Sequence, residues 1–153
     1  MEPAVPVPTL TGVHAEFGAA LEELFRAVLR ASGRGVPGGE TELTMSQYFV
    51  MDALADETLT VSEVARGARV AVPTATRALR ALEDRGFVER RRDDGDDRRL
   101  VTVALTPSGR EVLAEKRAWV RTRQREIFDA LAPSERETAV GTLSAVAEAV
   151  DEL

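Results

Sequence analysis

The stretch from residue 73 to residue 106 constrains the fold most, because three short elements follow one another there with little chain between them. A helical pattern over residues 73–85 ends at Gly86, a residue type that readily adopts the left-handed conformation that stops a helix. Two strand-length runs follow, separated by a polar turn over residues 93–98. The stretch therefore predicts a helix followed by a β-hairpin, with arginines along both.

A short helix precedes this stretch, and the two together have the spacing of a known motif. Thr60-x-x-Glu63 is a capping box, in which the two side chains satisfy free backbone groups at the start of a helix. Residues 67–72 then form a turn to the helix of residues 73–85, at the spacing of a helix-turn-helix. With the hairpin, residues 43–106 predict a winged helix-turn-helix, a unit that binds DNA.

The helices outside this unit predict a dimer. Residues 11–32 form one amphipathic helix, and residues 107–153 form two more, broken at Ala132-Pro133. Together they carry more apolar surface than one small winged domain needs, and its natural use is dimerisation. Residues 1–10 contain three prolines and predict a disordered tail. The expected fold class is mostly α with a small β-hairpin: a winged helix-turn-helix flanked by N- and C-terminal dimerisation helices.

Projection of the helix of residues 73–85 at roughly 100° per residue separates two faces. The apolar face holds Ala75, Ala78, Leu79 and Leu82. Arg77 and Arg80 lie on the opposite face, with Thr74 and Thr76 beside them near the helix start. Arginine side chains can reach base edges or phosphates, and free N–H groups at a helix start favour phosphate oxygens. These four residues are therefore the candidate major-groove contacts. The alternative interpretation is an ordinary surface helix whose arginines are only solvated.

Charge and composition narrow the function further. The formal charge is −6, yet residues 60–106 carry ten arginines against eight acids, so the positive charge is concentrated there. The chain has no cysteine, which excludes disulfides, thiolate metal sites and thiol-based redox sensing. No nucleophile–base pair, metal cluster or phosphate-binding glycine loop stands out, so we expect neither an enzyme nor a cofactor. Without a secretory signal or a membrane-length apolar run, we expect a cytoplasmic protein with no membrane partner.

The sequence resembles the MarR family of bacterial transcription regulators. The residues that carry the resemblance are Asp97-x-Arg99-x-x-x-Val103-x-Leu105-Thr106, Thr76-Arg77, Leu82-Glu83-x-x-Gly86-x-Val88-x-Arg90, Leu43-Thr44-x-x-Gln47 and Leu59-Thr60-x-x-Glu63-Val64-Ala65. The resemblance implies a homodimer that binds a pseudo-palindromic operator on double-stranded DNA and represses, with release by a small aromatic effector. It also implies that Arg99 contacts the minor groove and that Asp97 orients it. Arg98 lies beside them at the hairpin tip, where an arginine suits a narrow minor groove.

Three points stay open in the sequence. Val72 occupies the position where a capping Ser or Asp would stabilise the start of the helix of residues 73–85, so this start is expected to be looser. An effector pocket is predicted from four residues that fit core packing equally well: Phe17, Tyr48, Met51 and Trp119. The acidic hairpin tip and the negative charge also suit a winged-helix protein-interaction module without DNA binding, which is the alternative function.

Overall fold

The computed structural model describes residues 11–92 and 101–152. This part of the chain forms six helices and three strands: α1 (Val13–Gly33), α2 (Met45–Ala53), β1 (Leu59–Thr60), α3 (Val61–Gly67), α4 (Val72–Asp84), β2 (Val88–Arg92), β3 (Val101–Leu105), α5 (Pro107–Ala130) and α6 (Pro133–Asp151). The strands form one antiparallel sheet in the order β1-β3-β2. The predicted fold class, mostly helical with a small winged sheet, is confirmed.

Threonine side chains cap the first turn of three helices, α2, α3 and α5. The Thr44 hydroxyl accepts from the Gln47 N–H at 3.2 Å, and the Gln47 side chain accepts from the Thr44 N–H at 2.9 Å. Thr60 and Glu63 form the same reciprocal pair at the start of α3. These bonds satisfy backbone donors that would otherwise lack a partner. Thr106 caps α5 by accepting from the Gly109 N–H at 3.0 Å.

Helix α4 starts one residue earlier than the sequence predicted. Ala71 is the cap residue, with φ −63° and ψ 145°, and Val72 is already helical. The expectation that Val72 occupies the capping position is therefore wrong. Proline is compatible with the first turn of a helix because the N–H it lacks would have no partner there, so Pro73 fixed the start only to within a residue. The α3–α4 turn places Arg69 at φ 52°, the left-handed region that usually favours glycine.

The core lies between α2, α3, α4, the sheet and the first turns of α5. Val88 of β2 faces Leu105 of β3, and Leu59 of β1 faces Val103 of β3. The buried apolar side chains include Val50, Met51, Leu54, Val64, Leu79, Leu82, Val103, Leu105 and Leu113. Because strands and helices share this core, the hairpin base and α4 are held against each other.

Helices α1 and α6 are different, because neither buries a residue within the described chain. Large apolar side chains are exposed along them and along the second half of α5: Val13, Phe17, Leu24, Phe25, Val28, Leu29, Ile127, Phe128, Val140, Leu143 and Val150. Across residues 11–92 and 101–152, every helix is too short or too polar to cross a membrane.

Candidate nucleic-acid interface

Helix α4 presents one buried face and one exposed face. Its buried residues are the predicted four: Ala75, Ala78, Leu79 and Leu82. Arg77 and Arg80 are exposed on the other side, while Thr74 and Thr76 are half-buried. The Thr76 hydroxyl donates to the Val72 carbonyl at 2.9 Å, so its oxygen is turned back along the helix. The helix thus offers two arginines to solvent on a surface that the core holds in place.

Glu83, near the end of α4, forms an ion pair with a strand. Glu83 of α4 accepts from Arg90 of β2, with 3.0 Å between the Arg90 Nε and the Glu83 Oε2. Both side chains are about one-third exposed, so this ion pair contributes little to stability. Within residues 11–92 and 101–152, neither Arg77 nor Arg80 has a carboxylate within ion-pairing distance. The face therefore keeps the positive charge of both arginines.

The described part of the wing is its base. Strand β2 buries Val88 and exposes the next four residues, among which Arg91 pairs with Glu89. The predicted minor-groove residues Asp97, Arg98 and Arg99 lie outside the described residues. Sequence reasoning did not identify the Glu83–Arg90 pair, although both residues belong to the motif on which the family resemblance rests.

A cavity of about 500 Å³ lies where the end of α1 and the chain after it meet α5. Its wall is mostly apolar and includes Ala31, Val36, Pro37, Met45, Trp119 and Ile127, with Arg34 and Arg123 at the same cavity. Of the four predicted pocket residues, Trp119 is the one that lines it. Met51 is fully buried in the core, and Phe17 is exposed on α1. The structure does not bring the four together.

Tyr48 instead borders a polar depression between α2 and α5. There Arg117 donates from Nε to Asp52 at 2.6 Å. Burial raises the pKa of the Tyr48 phenol, and the nearby Asp52 carboxylate raises this pKa further. The phenol therefore stays neutral across the physiological range, and the polar character of this depression comes from the Arg117–Asp52 pair.

Lys116 is a residue whose role the sequence did not reveal. It is the chain's only lysine and is 1% exposed. Its Nζ donates to the carbonyl of Gly38, 78 residues earlier in the chain. Burial lowers the pKa of Lys116 because a charged amine is less stable away from water. The sequence offered one sign of a special role for Lys116: all other basic residues of the chain, apart from His14, are arginines.

Known proteins share both the sequence pattern and the fold. Residues 43–100 match the model of the MarR family. The chain is similar to BpsR of Bordetella bronchiseptica, a protein whose DNA binding is regulated by 6-hydroxynicotinic acid, at 25% identity and a TM-score of 0.69, over 86% of this chain and 98% of BpsR. It is also similar to a probable transcriptional regulator from Pseudomonas aeruginosa, at 26% identity and a TM-score of 0.69, over 82% and 94%.

The fold is shared further with Streptococcus pneumoniae FabT, whose structure contains DNA, at 21% identity and a TM-score of 0.73, over 90% of this chain and 97% of FabT. No curated protein matches the chain in sequence. The MarR family consists of transcription regulators, which confirms the expectation that this chain is not an enzyme. The matched range, in which the structure describes α2, β1, α3, α4 and β2, agrees with the family that the motifs indicated.

Proposed function

We propose that this protein is a homodimeric repressor that binds a pseudo-palindromic operator on double-stranded DNA. The observation that supports this most is the exposed face of α4, where Arg77 and Arg80 have no carboxylate partner within the described residues. An arginine at such a position can donate two hydrogen bonds to a guanine edge or bind a phosphate. Thr74 and Thr76 supplement them near the helix start.

The wing completes the proposed contact. Strand β2 pairs with β3 and contacts α4 through the Glu83–Arg90 ion pair, so the base of the hairpin is held beside the recognition helix. Arg99, with Asp97 as its orienting partner and Arg98 beside it, is proposed to enter the minor groove next to the site of α4. A narrow minor groove attracts arginine because its negative potential is strongest there.

The homodimer is proposed from the apolar side chains that one chain leaves exposed. They lie on α1, on α6 and on the end of α5, which is the region assigned to dimerisation in the sequence (residues 11–32 and 107–153). A symmetric dimer would bury these faces and place two copies of α4 on one side. Two recognition helices related by a two-fold axis require an operator with the same symmetry.

Selection of bound duplexes from a random library tests the proposal. Recovery of a palindromic or pseudo-palindromic sequence is expected. Affinity for it should fall steeply with salt, and Arg80→Gln should lower the salt slope by roughly 1 if Arg80 contacts a phosphate. Arg125→Gln, an exposed arginine on α5, is the control and should leave the slope unchanged. Failure to recover any duplex at low salt would contradict DNA binding and favour the protein-interaction module.

The effector proposed for the repressor is a small aromatic acid bound in the 500 Å³ cavity. Trp119 offers a ring for stacking, and Arg34 offers a charge for a carboxylate. Within the described part of the chain, Arg123 is paired with Glu126 and Arg34 forms no ion pair, so Arg34 is the more available cation. The similarity to BpsR, whose DNA binding responds to an aromatic acid, supports the same class of ligand.

Titration with 6-hydroxynicotinate and with benzoate tests the effector class. Binding should quench the fluorescence of Trp119, the chain's single tryptophan, and should weaken operator binding. Arg34→Gln should reduce the affinity for both acids, while Arg125→Gln should not. Full retention of affinity in Arg34→Gln would exclude Arg34 as the carboxylate partner.

A further inference from the structure

The chain between α1 and α2 is held by cations from two other helices. We name residues 34–44 the connecting segment. Arg85, the residue that ends α4, donates from Nη1 to the Glu42 carbonyl at 2.8 Å. Lys116 of α5 donates to the Gly38 carbonyl. Within the segment, the Val36 N–H donates to the Leu43 carbonyl at 2.7 Å. Because the two ends of the loop are bonded to each other, the segment should move as one unit.

The same segment forms part of the cavity wall. Gly35, Val36 and Pro37 line the cavity, and Trp119 lies against Gly38 so closely that a Cβ at Gly38 would be 2.9 Å from the Trp119 Cβ. A displacement of the segment would therefore change the surroundings of Trp119. It would also move the carbonyl that Arg85 holds.

We propose that Arg85 and Lys116 are positioning residues, and that they make the connecting segment the mechanical link between the cavity and the recognition helix. The inference rests on the proposed function and adds a route to it. Cavity occupancy moves the segment, the Glu42 carbonyl moves with it, and the end of α4 follows through Arg85. The guanidinium of Arg85 also lies over the Phe87 ring, 4.9 Å from its centroid, so the same residue contacts the chain that leads into β2.

The buried amine of Lys116 resists displacement of the segment. A buried ammonium that loses its hydrogen-bond acceptor is strongly destabilised, because water does not replace the lost bond. A displacement of Gly38 that breaks this bond is therefore resisted.

Fluorescence of Trp119 provides the test, because linkage is reciprocal: a segment that carries a signal from the cavity to α4 also carries one from DNA to the cavity. Saturation with a selected duplex should change the emission of Trp119 in the natural protein. Arg85→Gln should lose this change, and Arg85→Lys, which keeps a donor, should retain it. Arg110→Gln is the matched control, since Arg110 also donates to a backbone carbonyl, that of Ala55, outside the segment.

A second measurement needs no DNA and separates failure of the inference from failure of the proposed function. In the free protein, Arg85→Gln should make Trp119 more accessible to quenching by acrylamide, and Arg110→Gln should not. Unchanged quenching in Arg85→Gln would overturn the inference even if DNA binds. Saturating DNA that leaves Trp119 emission unchanged in the natural protein would overturn it as well.

Discussion

Substitution of Gly109 by alanine should destabilise the protein, although alanine is the better helix former. Gly109 lies in the first turn of α5, where alanine would ordinarily stabilise a helix by about 1 kcal/mol. Here a Cβ would lie 2.0 Å from the Phe87 carbonyl oxygen and 2.9 Å from the Phe87 carbonyl carbon. Both atoms belong to the backbone, so no side-chain rotation relieves the overlap. The start of α5 must move away from the hairpin base.

That movement would break two bonds at the same junction. The Thr106 N–H donates to the Phe87 carbonyl at 3.1 Å, and the Thr106 hydroxyl donates to the Gly86 carbonyl at 2.6 Å. Each such bond contributes about 1 kcal/mol, and overpacking adds about 1–3 kcal/mol. After the gain in helix propensity, we expect a net loss of about 2–4 kcal/mol in the free energy of unfolding.

Urea denaturation at one fixed protein concentration measures this loss. The matched control is Gly141→Ala in α6, where no atom of the described chain lies within 4 Å of the added Cβ. That variant should be more stable than the natural protein by about 0.5–1 kcal/mol. Equal or greater stability of Gly109→Ala would show that α5 does not approach Phe87 as described, and the reasoning would fail.

Three further outcomes are expected. Arg99→Ala should weaken binding to a selected duplex by roughly 1–3 kcal/mol in a titration. Unchanged affinity in the folded variant would exclude Arg99 as a minor-groove contact. Truncation before Pro133 should abolish the dimer in light scattering, whereas a monodisperse truncated dimer would place the interface elsewhere. Hydrogen bonds from the Thr60 backbone and hydroxyl lower the pKa of Glu63 below its ordinary 4.5. The stability that ionised Glu63 contributes is therefore complete above pH 4.5 and is lost as the pH falls through the lowered pKa. In urea titrations, the difference in free energy of unfolding between the natural protein and Glu63→Gln should shrink as the pH is lowered. A difference that stays constant with pH would exclude this role of Glu63.

Much of the fold was predictable because its signals are local. A threonine three residues before a glutamine or glutamate, as in Thr44 and Gln47, begins a helix through bonds confined to one turn. Gly86, at φ 75°, ends α4 for an equally local reason. The buried face of α4 also followed from its period alone. The start of α4 was missed by one residue, because Pro73 tolerates either of the first two helical positions.

The cavity and its surroundings were less predictable because they depend on contacts between distant parts of the chain. The Lys116–Gly38 bond spans 78 residues, and the Arg85–Glu42 bond spans 43. No periodicity reports such pairs. The residue types that line a pocket also fill a core, so Met51 and Trp119 were equivalent in the sequence, although the first is fully buried and the second borders the cavity.

The burial of Lys116 has a practical consequence for chemical labelling. No other residue of the chain carries a side-chain amine, and this one is 1% exposed. A reagent that acylates lysine can therefore react with a side chain only when the connecting segment lifts from α5 or the whole protein unfolds. The rate of acylation at this single position would measure how often that opening occurs.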